Sequence, residues 1–205
     1  MFTAQDVQKL RRATGAGMMD AKKALAEAQG DFTAAVDILR KKGSKIAAGK
    51  MGRSTSQGLV EAYIHAGGKI GSLVELACET DFVARTEQFK TLAHDLAMQV
   101  AAANPQYLSP ADVPADVLAH EKEIFVEQLK NDGKTGAMVD KIIEGKLQKY
   151  YEEVCLLSQP FFKDDKKPVG EVLTESIATI GENIKIKRFA RFELSGNPAV
   201  CSVKE

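Results

Sequence analysis

Over residues 1–43 the apolar positions fall three and four apart, in three short runs separated by glycine. Thr3 offers an N-cap hydroxyl ahead of Val7 and Leu10, and Gly15 to Gly17 end that run. Asp20 reads as the cap of a second helix, Ala21 to Ala28, which Gly30 closes. Asp31 caps a third, which carries Phe32, Ala35, Val36 and Leu39 and stops at Gly43. Three such helices make a miniature bundle near the lower limit for independent folding, about 40 residues. Small, well-packed side chains such as Ala24, Leu25 and Ala28 must therefore carry its core.

Helical periodicity then disappears. Residues 44–58 are small and basic, with Gly49, Gly52 and Ser54 to Ser56, the composition of a flexible connector. From Leu59 the period is two: Leu59 to His65 and Ile70 to Cys78 flank Ala66-Gly67-Gly68-Lys69, a hairpin whose paired glycines supply positive φ angles. Thr80 caps one long helix with Phe82, Phe89, Leu92, Ala93, Leu96 and Val100 in its stripe, stopped by Asn104-Pro105.

Val117, Leu118, Ile124, Phe125 and Leu129 predict the next helix, ending at Asn131-Asp132-Gly133. Met138, Val139, Ile142, Ile143, Leu147, Tyr150, Tyr151 and Val154 mark its return, so residues 114–155 form an antiparallel helical hairpin. Val169, Val172, Leu173 and Ile177 predict one more helix. A third strand over 184–193 sets Ile184, Ile186, Arg188, Ala190 and Phe192 against Lys185, Lys187, Phe189 and Arg191. Strands so far apart in sequence imply an α+β domain in which the last strand closes back on the hairpin. The organisation is thus a module at 1–43, a linker at 44–58, a core at 59–194 and a frayed tail at 195–205.

Composition narrows the class. In 205 residues, 28 Lys and Arg balance 28 Asp and Glu, which gives none of the global positive field of a dedicated nucleic-acid binder. Lys41, Lys42, Lys45, Lys50 and Arg53 crowd one stretch, which reads first as a solvated linker and otherwise as a local basic patch. Cys78, Cys155 and Cys201 form no CxxC pair and have no histidine at ligand spacing, so they read as reduced thiols of a cytoplasmic protein, with no metal and no cofactor expected. No apolar run reaches the ~20 residues of a membrane span.

Enzymatic signatures are missing. Gly15-Ala16-Gly17 lacks the third glycine of a dinucleotide fingerprint and follows a helix, where that fingerprint needs a strand. Gly67-Gly68-Lys69 lacks the spacing of a phosphate-binding loop. His65, His94 and His120 sit in different elements, and Glu152-Glu153 and Asp164-Asp165 fall where solvated charge is expected. The chain does not read as an enzyme.

Two stretches have chemistry beyond simple packing. In Thr14-Gly15-Ala16-Gly17-Met18-Met19-Asp20-Ala21-Lys22-Lys23, adjacent methionines at a helix start cannot both face a small core. Methionine suits an adaptable binding surface, and equally it fills cores. In Cys78-Glu79-Thr80-Asp81-Phe82-Val83-Ala84-Arg85 a phenylalanine occupies the first turn of a helix, either as a packed staple or presented outward.

Together these two stretches resemble the N-terminal signature and the Thr-Asp-Phe-Val motif of the elongation factor Ts family. The similarity extends to Ala97-Met98-Gln99-Val100-Ala101-Ala102, Ile143-Glu144-Gly145-Lys146, Ser158-Gln159-Pro160-Phe161 and Ile180-Gly181-Glu182-Asn183-Ile184, in the family's order. The resemblance implies a module like ubiquitin-associated domains, a core with a three-stranded antiparallel sheet, and a protruding coiled coil. It also implies a guanine nucleotide exchange factor in translation elongation, partnered by the GTPase elongation factor Tu; the balanced charge and the lack of a long apolar run add the expectation of no direct contact to nucleic acid or membrane.

By that resemblance, Thr80, Asp81, Phe82 and Val83 form the exchange motif, and Arg11, Met18, Met19 and Lys22 a second contact from the N-terminal module. The chain looks like the family's short form, with one core subdomain where longer members have two. Apolar residues on both faces of the sheet, Leu73 opposite Val74 and Leu76, then call for a homodimer. Thr86 stands where asparagine is common, a departure of little expected consequence. The competing reading is a peptide- or ubiquitin-like-ligand module on an oligomerisation scaffold.

Overall fold

The computed structural model describes residues 2–131, 138–194 and 199–202. Among the described residues, eight α-helices and six strands follow in the order α1 (Ala4–Thr14), α2 (Met18–Glu27), α3 (Phe32–Ala48), β1 (Gln57–Ile64), β2 (Ile70–Cys78), α4 (Asp81–Ala84), α5 (Glu87–Ala103), α6 (Ala115–Asn131), α7 (Met138–Val154), β3 (Pro160–Phe161), β4 (Asp164–Pro168), α8 (Val169–Ile180), β5 (Lys185–Glu193) and β6 (Ala199–Ser202). They group into two compact units, neither continuous in sequence. One comprises Met1–Gly58, Ala77–Leu92 and Val172–Lys185; the other Leu59–Leu76, Ala93–Glu171 and Ile186–Glu205.

In the first unit, α1 to α3 enclose Val7, Leu10, Ala21, Ala24, Leu25, Ala35 and Leu39, with Phe2, Phe32 and Val36 at the margin. Thr3 caps α1 in a capping box with Asp6, and Asp31 caps α3 by accepting from the Ala34 amide at 2.9 Å. Gly15, at φ 67°, ends α1 in the left-handed conformation and returns its amide to the Arg11 carbonyl. Two boundaries differ from expectation. The second helix starts at Met18 with Gly17 as cap, and Asp20, one turn in, pairs with Lys42. The third continues through Gly43 to Ala48, because Ile46 and Ala47 extend its buried stripe and because Gly43 lets the helix approach α8. A methyl on Gly43 would lie 3.4 Å from the Ala178 Cβ.

In the second unit the sheet order is β1-β2-β5-β6. The three expected strands form the antiparallel sheet. Beside them, β6 pairs antiparallel with β5 from Arg188↔Ser202 to Arg191↔Ala199, so 199–202 is not the frayed tail expected from the sequence. The free amides and carbonyls along the edge of β5 take up an extended neighbour. One sheet face is covered: Val74 and Leu76 are fully buried, and the Ser72 hydroxyl donates to the Ala97 carbonyl of α5 at 2.6 Å. The other face leaves Val60, Ile64, Leu73, Phe192 and Leu194 exposed. Gly71 makes room on it, since a Cβ there would fall 2.8 Å from Ile64 Cδ1.

The alternation of β5 changes phase partway. Ile186 is buried as expected, but then Phe189 and Arg191 turn inward while Arg188 and Phe192 face solvent. Burial of Arg191 is satisfied by the Ala101 carbonyl at 3.0 Å and the Glu193 carboxylate at 2.7 Å. The helical hairpin packs at its base through Val113, Val154 and Cys155 with Tyr107, Val117, Leu118, Tyr150 and Tyr151. Farther along, Lys146 donates to Gln128 at 2.7 Å and covers the Phe125 ring. Asn131 ends α6 as predicted, whereas Asp132 and Gly133 lie outside the described residues. The β3-β4 hairpin was not foreseen.

Candidate functional site

The long helix predicted from Thr80 is two helices. Thr86 splits it: its hydroxyl donates to the Val83 carbonyl at 2.8 Å and accepts from the Phe89 amide at 3.3 Å, so it ends α4 and caps α5. This position therefore asks for a capping side chain, a role asparagine also fills. What remains ahead of it, α4, is a single turn of four residues.

Each residue of that turn has a distinct environment. Thr80 is its N-cap, accepting from the Val83 amide at 3.4 Å. Asp81 pairs with Arg85 at 2.8 Å in a partly solvated i,i+4 arrangement worth about 0.3–0.5 kcal/mol. Val83 is half-buried. Phe82 is 78% exposed, the most exposed large apolar side chain among the described residues. Seven positions on, Phe89 is fully buried, so the apolar stripe that suggested one helix joins an outward ring to an inward one.

A polar network fixes this turn to the segment after α8. Glu182 Oε2 accepts from the backbone amides of Glu79 at 3.1 Å and Thr80 at 3.0 Å, while its Oε1 accepts the Thr80 hydroxyl at 2.7 Å. Asn183 donates its backbone amide to Glu79 Oε1 at 2.7 Å. Its side-chain amide donates to the carbonyls of Arg53 at 2.8 Å and Met51 at 3.3 Å. Arg53 returns a contact to Glu79 at 3.4 Å, and Lys50 donates to the Gly181 carbonyl. The stretch 50–53, expected to be a free linker, is thus tied by side chains and backbone to the base of the exposed turn.

Charge follows from these contacts. The Asn183 amide, helped by Arg53, holds the Glu79 carboxyl below the usual range against the opposing effect of burial. Burial, with Glu182 nearby, pushes the Cys78 thiol up, and its Sγ donates to the Thr80 carbonyl at 3.1 Å. Cys78 is therefore a protonated packing group and not a nucleophile.

The N-terminal candidates cluster where α1 turns into α2. Arg11 lies in the last turn of α1, and Met18, Met19 and Lys22 in the first turns of α2. Ala21, Ala24 and Leu25 take the inward face, which leaves Met18 half exposed and Met19 63% exposed. Both methionines are thus outside the core. A Cβ on Gly15 would lie 3.5 Å from Thr179 Oγ1, so this turn abuts the end of α8, immediately before Glu182. The sequence named Glu182 and Asn183 only within a family-like stretch, without a role, and did not single out the exposed Met51. Nothing local signals a contact formed with a partner more than a hundred positions away. Among the described residues no cluster of three or more His, Cys, Asp or Glu could hold a metal ion.

Comparison with known proteins matches residues 3–194 to the family model described as Elongation factor TS. Among curated relatives, the Elongation factor Ts of Caldanaerobacter subterraneus subsp. tengcongensis is 56% identical over 193 residues, covering 94% of this chain and 96% of the relative. That of Carboxydothermus hydrogenoformans is 56% identical over 194 residues, covering 95% and 89%. That of Anaeromyxobacter sp. (strain Fw109-5) is 58% identical over 191 residues, covering 93% and 87%.

Proposed function

The chain belongs to the elongation factor Ts family, and on that premise we propose that its exposed Phe82 is the part that acts on elongation factor Tu. Its function is guanine nucleotide exchange: in translation elongation it promotes GDP release from elongation factor Tu so that GTP can bind. The observation that carries the assignment to Phe82 is a large aromatic ring, 78% exposed, on a turn that an elaborate polar network nonetheless holds still. An aromatic side chain left outside its own core is an anchor for another surface.

Phe82 enters the GTPase beside its nucleotide site as a wedge, with Asp81 alongside. Shifting the partner's helices disturbs the magnesium ion and the phosphate-binding loop, whose charge neutralisation holds GDP. Arg11, Met18, Met19 and Lys22 supply the second contact, where two flexible thioethers adapt to the partner's surface. Coupling is reciprocal: whatever factor weakens GDP in the complex weakens the exchange factor equally when nucleotide rebinds, about 1.4 kcal/mol per tenfold. Release of labelled GDP from elongation factor Tu, with and without this protein, tests the reading. Unchanged release sinks it.

The protein works in the cytoplasm as a homodimer, without direct nucleic-acid contact. Among the described residues no helix is long and apolar enough to cross a membrane. The uncovered sheet face with Ile64, Leu73, Phe192 and Leu194 supports the dimer, since two copies can cover one another there. Sedimentation checks this: the wild type runs as a dimer and Phe192→Glu as a monomer, and a monomeric wild type refutes it.

A further inference from the structure

A one-turn helix does not hold itself. Nucleation alone is unfavourable, and α4 has four residues in which to recover the cost. The outward ring of Phe82 contributes little apolar burial on its own side of the turn. The direction in which the ring points must therefore be set from the ends. At the C-terminal end Thr86 does so through its two hydrogen bonds. At the N-terminal end, three hydrogen bonds converge on one carboxylate.

We propose that Glu182 is the positioning residue of the exchange wedge; the inference rests on the reading of Phe82 above. Its two oxygens divide the work. Oε2 binds the consecutive amides of Glu79 and Thr80, which locks the path of the chain as it leaves β2. Oε1 accepts a hydrogen bond from the Thr80 hydroxyl, which turns that hydroxyl oxygen's lone pairs toward the Val83 amide at the start of the turn. A relay thus runs from Glu182 through the Thr80 hydroxyl to the backbone beside Phe82. Hydrogen bonds to a carboxylate are shorter and stronger than neutral ones, and the use of both oxygens adds geometric specificity, which suits a fixing role. Asn183, the next residue, holds Glu79 and the carbonyls of Met51 and Arg53, so the same two residues also align the strand's exit with the segment that follows α3.

The test is a double-mutant cycle read in labelled-GDP release from elongation factor Tu, with melting temperature measured on every variant. Glu182→Ala should slow stimulated release about tenfold, or about 1.4 kcal/mol. Glu182→Gln should lose less, because its carbonyl still accepts both amides. In the Phe82→Ala background, Glu182→Ala should add almost nothing, since there is no ring left to aim. Thr80→Val, which removes the relay while keeping the side-chain volume, should show the same lack of additivity and serves if Glu182→Ala is too unstable to purify. Full additivity with Phe82→Ala, or wild-type release by Glu182→Ala, overturns the positioning role while leaving the wedge intact. Wild-type release by Phe82→Ala alone removes the wedge, and this proposal with it.

Discussion

Met19 and Phe82 are exposed apolar side chains of the same compact unit, held in place by opposite means. Met19 rides on a bundle whose inner face is apolar: Leu10, Ala21, Leu25 and Ala35 are all fully buried, and α2 has no side-chain cap. Phe82 sits on a turn with no buried residue of its own, secured by carboxylate, hydroxyl and backbone amide groups. Packing is non-directional and tolerates small shifts, whereas hydrogen bonds fix angle as well as distance. The adaptable thioether is thus carried by the adaptable kind of support and the rigid ring by the rigid kind.

The largest test of this contrast is Leu25→Ala. Emptying a fully buried site in the bundle should cost about 2–5 kcal/mol in denaturant unfolding, and a loss below about 1 kcal/mol would mean that the bundle is not held by its apolar core. Next comes Phe82→Ala. Stability should stay within about 0.5 kcal/mol of wild type, as for other exposed positions. Stimulated GDP release should nevertheless fall roughly thirtyfold, the equivalent of a 2 kcal/mol hot spot.

The smallest effect belongs to Glu79. Its folded-state carboxyl titrates below the ordinary value, so its stabilising contribution is present above the unfolded pKa, about 4.3, and is lost as pH falls from there through the folded value. Melting temperature should accordingly drop less on acidification in Glu79→Gln than in wild type. Parallel curves would mean that the Asn183 and Arg53 contacts do not persist in solution.

Local chemistry made much of the bundle legible. The Thr3 and Asp31 caps and the Gly15 turn act within four residues of themselves, and each is found in its predicted role. The single helix predicted from Thr80 failed for a related reason. A continuous apolar stripe outweighed a capping threonine inside it, although Phe82 and Phe89 belong to opposite environments. In β5 the inward turn of Arg191 depends on a carbonyl of α5, and no alternation within the strand could announce it. Recognition of the motif brought Phe82 forward, whereas its support by Glu182 is a tertiary fact between distant segments.

That distance bears on how the protein is made. Glu182 follows Thr80 by 102 positions. At a synthesis rate of about 5–20 residues per second, the aromatic turn leaves the ribosome roughly 5 to 20 s before the carboxylate that orients it. A nascent chain therefore exposes Phe82 while it is still unaimed. Competence to act on the GTPase arrives only once the segment after α8 has been added.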